Sequence, residues 1–144
     1  MTLAPLLAAP SYVIVHAVAA MAAFVLGLIQ LAAPKGTLPH RTIGWIWVIL
    51  MAVVAASSFL IHTICTFGPF SIIHGLSLVT LIALPMGVAH ARAHRVGRHK
   101  RTMTLLFAGA LVVAGIFTLS PGRIMHDVVF GTVSTHGDCT RTGA

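Results

Sequence analysis

With 58% hydrophobic residues, only 8% charged ones and a mean hydropathy of +0.99, this 144-residue chain cannot clothe a water-facing surface, which takes about 25% charged residues. Its net charge of +7 sets nine Lys and Arg against two acids, Asp127 and Asp138, and glutamate is absent. That excludes paired-carboxylate hydrolysis and HExxH metal sites. The basic excess sits mostly in one loop between apolar runs, not along a groove or recognition helix, so nucleic acid is not the implied partner.

Residues 1–11 form a short segment without the basic start of a signal peptide, which predicts that the first apolar run is retained as a span. That run, residues 12–33, would measure ~33 Å as a helix, enough to cross a bilayer. The breaker PKGTLPHR at 34–41 follows, then a second run at 43–67. Gly68-Pro69 makes an uncharged turn into a third run at 70–91, with Pro85 inside it; membrane helices tolerate such a proline. The island HARAHRVGRHKR at 90–101 carries five of the nine basic residues. It cannot enter hydrocarbon, where a central Arg or Lys costs roughly 2.5–3.5 kcal/mol. A fourth run spans 103–119, and Ser120-Pro121-Gly122 stops it ahead of a polar tail at 121–144.

Alternate crossing puts Lys35, Arg41, Arg92, Arg95, Arg98, Lys100 and Arg101 on one side, with Arg123, Arg141 and both acids on the other. The positive-inside rule makes the first side cytoplasmic. The expected protein is all-α: an integral membrane four-helix antiparallel bundle over 12–120, in a bacterial inner membrane, with both termini periplasmic. Its first partner is the bilayer, whose anionic heads attract the island; an acidic protein partner is the alternative.

Small residues are the means by which helices associate in lipid. Ala19, Ala23 and Gly27 share a face of the first run, Ala55 and Ser58 lie in the second, and Ala110 and Ala114 in the fourth. Trp45 and Trp47 read as interfacial anchors. In an oxidising outer space, Cys65 and Cys139 could form a disulfide across the bundle mouth.

The nine histidines carry whatever chemistry the chain offers. His16, His62 and His74 fall ~6–8 Å inside the outer boundary on three different helices, and they form a candidate metal trio. His40, His90, His94 and His99 fall near the inner boundary. On a straight helix His74 and His90 differ by ~160° in azimuth, so Pro85 must redirect the helix for both to face the core. Imidazoles on facing helices suit axial ligation of b-type haem. They also suit zinc or copper, or a proton path. Interfacial histidines that bind nothing are the remaining reading.

PKGTLPHRTIG at 34–44, FGPFSIIHGLS at 67–77, the spacing Arg92–His99–Met103 and PGR at 121–123 recur in order. Together they resemble a bacterial family of four-span membrane proteins catalogued as a domain of unknown function, DUF2306. The resemblance covers roughly residues 15–123 and implies no activity. It singles out His40, Arg41, His74, His99, Met103 and Arg123 as cofactor-site positions, and it omits His16, His62, His90 and His94. His40 and His99 would then form an inner site, with Arg41 at hand for a propionate or other anion. The leading expectation is a histidine-ligated b-type haem module in electron transfer, working with a membrane redox partner. The alternatives are a non-catalytic accessory or assembly subunit of a larger membrane complex, or a small metal or proton transport protein. No nucleophile with a base and an orienting acid is visible, so hydrolysis is not expected.

Overall fold

The computed structural model describes residues 4–61, 72–119 and 124–130. A short helix α1 (Ala4–Leu7) leads through Pro10 into the first long helix, α2 (Ser11–Ala32). The C-terminal carbonyls of α2 find donors locally: Ala33 N–H bonds Ile29 O, and the Lys35 ammonium donates to Leu31 O at 2.6 Å. A lysine there also opposes the negative end of the helix dipole. Gly36, at φ +82°, then turns the chain back.

The second long helix, α3 (Leu38–Ser58), begins inside the PKGTLPHR stretch. Thr37 caps it, its Oγ1 accepting from His40 N–H, and Pro39 falls in the first turn, where a missing N–H costs nothing. His40 and Arg41 therefore ride on the first turn of α3. The third long helix, α4 (Ile72–Arg92), runs through Pro85 without a break. It ends in a Schellman turn: Arg95 N–H bonds His90 O and His94 N–H bonds Ala91 O. The left-handed position is filled by His94, at φ +56°, where glycine is the usual occupant. His94 thus leaves the helix, is exposed, and does not share a helix face with His90.

The fourth long helix starts within the basic island as α5 (Val96–Leu106). It continues through a π-helical segment (Phe107–Val113) into α6 (Ala114–Thr118). A last helix, α7 (Ile124–Phe130), packs on α1 and α6. Leu6 on α1 and Asp127 on α7 are both buried at this end.

α3 lies between α2 and α4, α5 packs on α4, and the π segment returns to α2, closing a four-helix bundle. Its core is Ala23, Trp47, Met51, Leu84, Leu106, Phe107 and Leu111. Ala19, Ala23 and Gly27 are the buried residues of α2, so the small face meets its neighbours closely. The outer wall is apolar: Val18, Val25, Ile49, Val79 and Ile116 are exposed. Each long helix keeps no more than 33% of its most apolar stretch inside the bundle. In water that arrangement would be prohibitive; in lipid it is the required one.

Trp47 corrects the anchor reading. It is 5% exposed, and its Nε1–H donates to Ala23 O at 2.9 Å, which fastens α3 to α2 through the core. Trp45 does stay outside, at 49% exposure. Side chains one turn apart share a face, but these two are only two residues apart, so α3 turns one inward and the other out.

Candidate functional site

Two polar layers cross the bundle, one toward each end. At the end holding α1 and α7, polar side chains bind the long helices together. His16 Nδ1 meets Ser57 Oγ at 2.9 Å, and Ser57 in turn donates to Val53 O at 2.7 Å. With the hydroxyl proton committed to Val53, His16 is the donor of the α2–α3 bond. Ser58 and Ser77 share a hydroxyl–hydroxyl bond between α3 and α4. His74 is 5% exposed, its ring 5.7 Å from that of Phe59. His62, the third of the trio, lies outside the described residues, as do Arg123, Cys65 and Cys139. Among the described residues no three His, Cys, Asp or Glu side chains are grouped so as to hold a metal ion.

The basic end carries exposed cations around a smaller set of buried polar atoms, three of which have no hydrogen-bond partner. His99, in the first turns of α5, is half-buried, and its Nδ1–H donates to Gly87 O on α4 at 2.8 Å. A neutral imidazole that gives up its Nδ1 proton this way keeps a lone pair on Nε2. Gly87 makes the approach workable. It is buried, and a Cβ there would overlap Met103 Cε and press on Thr102 Cγ2 at 3.3 Å. His99 and Met103, four residues apart, thus lie against the same point of α4.

His40 faces them from the start of α3. His99 and Lys35 both lie within electrostatic reach of His40. Its carbonyl accepts from Gln30 Nε2 at 2.8 Å, tying α3 to the end of α2, and Gly44 leaves room for that amide. His40 Nδ1, His90 Nδ1 and Gln30 Oε1 are each buried without a hydrogen-bond partner. Arg41 is exposed beside them. All four long helices therefore contribute to one polar mouth, in which His99 and Met103 meet at Gly87 and His40 lies within electrostatic reach of His99. Gln30 joins it through its side-chain amide, as the lone polar residue near the end of an apolar run, whereas Gly87 joins it through its carbonyl and the vacancy beside it, which leave no sequence signal.

Four helices long and apolar enough to cross a membrane, with lipid-facing walls and a polar mouth at one end, define an integral membrane helical bundle. A family model described as predicted membrane protein (DUF2306) matches residues 13–134, and the chain belongs to that family. No curated protein and no solved structure matches it.

Proposed function

We propose that the polar mouth holds a b-type haem and that the protein is a small electron-transfer module of the membrane. The observation that carries this is the His99 ring, pinned through Nδ1 to Gly87 O so that Nε2 is presented as a ligand. Metal-binding histidines are oriented by this kind of outer bond. His40, with its buried unpartnered nitrogen, supplies the second imidazole. Arg41 is placed for a propionate, and Met103 is a soft neighbour. The core beneath is filled, with Ala23 and Met51 at 0% exposure, so the group belongs at the mouth and not between the helix centres. When bound, haem would supply one-electron chemistry; the chain supplies ligands, orientation and a dry floor.

Absorption spectroscopy tests it. Protein purified from haem-replete cells is expected to show a Soret band that sharpens on reduction. His99→Ala and His40→Ala should each lose most of the haem, whereas His16→Ala should retain it. A colourless, iron-free preparation would remove the reading. The nearness of Met103 to His99 favours a second reading, a copper(I) site of two imidazoles and a thioether. Copper without iron on elemental analysis would decide for it.

The basic end is the cytoplasmic one in this reading, in a bacterial inner membrane, with both termini periplasmic. A single cysteine at Val96, in a variant lacking Cys65 and Cys139, should resist a membrane-impermeant thiol reagent in intact cells and react after lysis. Labelling before lysis would reverse the orientation.

A further inference from the structure

We infer that the groove between α3 and α4 is a binding site for one anionic phospholipid from the leaflet at the basic end. The inference does not depend on the haem reading, since the groove opens to the outside of the bundle and includes no histidine. It encloses about 400 Å³, with Ala52, Leu81, Pro85 and Ala89 along its walls and Trp45 and Arg92 at its head. Two alanines and a proline ring leave the gap; larger side chains at these positions would fill it. From Leu81 to Arg92 the helix rises ~16 Å, close to half the ~30 Å hydrocarbon thickness of a bilayer. One acyl chain of a single leaflet matches that length.

The head of the groove specifies charge. Arg92 is the last residue of α4, and its guanidinium stands 5.8 Å from the centroid of the Trp45 ring. The indole holds the cation at the bilayer interface through its π face. Among the described residues no carboxylate stands at this end to neutralise it: their one acid, Asp127, sits on α7 at the opposite end. In the membrane the abundant anion at that depth is a lipid phosphate, which gives the Arg92 guanidinium its counter-ion. Basic pockets between spans on the cytoplasmic side recognise such head groups. Arg95 and Arg98 on the adjoining turn raise the local potential.

Native mass spectrometry of the full chain in mild detergent tests the site, with phosphatidylglycerol and phosphatidylcholine of equal chain length as probes. A single phosphatidylglycerol adduct is expected, at least fivefold more retained than phosphatidylcholine. Arg92→Gln should reduce retention about fivefold, the effect of losing one cation near the surface, while Arg98→Gln should reduce it less. Ala89→Leu, which fills the groove and leaves the charge in place, should also abolish the adduct. Equal retention of the two lipids, or equal loss in the two arginine variants, would mean a diffuse basic surface and would overturn the site. Should Ala89→Leu fail to fold, quenching of tryptophan fluorescence by brominated lipid at low mole fraction replaces it. Brominated phosphatidylglycerol should quench more than brominated phosphatidylcholine in the wild type, and the two equally in Arg92→Gln. Equal quenching in the wild type would count against the proposal.

Discussion

Gly27→Val is expected to destabilise the bundle by about 2–3 kcal/mol, at the upper end of the range for overpacking a core. A Cβ at Gly27 would lie 2.5 Å from Cδ2 and Cε2 of Phe107 and 3.0 Å from Trp47 Nε1. Phe107 cannot simply retreat. It is 8% exposed and stacked on Phe24 of the same helix α2, with ring centroids 5.6 Å apart. The added side chain would have to push α2 away from both α3 and the π segment. Gly109→Ala is the control, since nothing lies within 4 Å of a Cβ there. Titration with SDS followed by far-UV circular dichroism should place the Gly27 variant well below wild type and the Gly109 variant beside it. Equal midpoints for all three would show that α2 does not meet Phe107 as described.

Trp47→Ala is expected to cost about 3 kcal/mol, the low end for removing a large aromatic from a packed interior. The low end applies because lipid is itself apolar, so transfer of the ring out of the core is cheap while the void it leaves is not. Trp47→Phe separates the two contributions. It keeps most of the ring and loses the Nε1–H bond to Ala23 O, a loss of about 1 kcal/mol. The cost is small because Ala23 O keeps the donor of its own helix. The same titration reads both variants, and a phenylalanine variant as unstable as the alanine one would give the hydrogen bond a larger share.

Much of this arrangement can be read from the chain before folding. Four apolar runs and one arginine-rich break fix the number of spans through the cost of burying charge. The spacing of Ala19, Ala23 and Gly27 marks the face of α2 that the structure buries. The burial of His74 follows from its depth on the third span, whereas the pairing of His40 with His99 is singled out only by the family resemblance. What escapes is decided at helix ends and by partners without a side-chain signature. Apolar runs mark hydrocarbon and not hydrogen bonds, so they miss the Thr37 cap that draws His40 into α3. They equally miss the start of α5 inside the island. Trp45 and Trp47 look alike in sequence, and only the packing of α3 on α2 separates them. The role of Gly87 as the seat of His99 depends on a carbonyl, which every residue possesses.

The π-helical segment at Phe107–Val113 has a consequence for how the fourth span tolerates change in length. A turn closed by i→i+5 bonds holds one residue more than an α turn in the same place. Loss of a residue elsewhere in a helix swings everything beyond it by ~100° and takes the inward face outward. Within this segment the extra residue is already looped into the wall, so shortening it by one leaves both flanks aimed as before. His99 and Met103 on one flank and the approach to α7 on the other are thereby insulated from each other. The span carries its own slack, placed between the end that could hold a cofactor and the end that is capped.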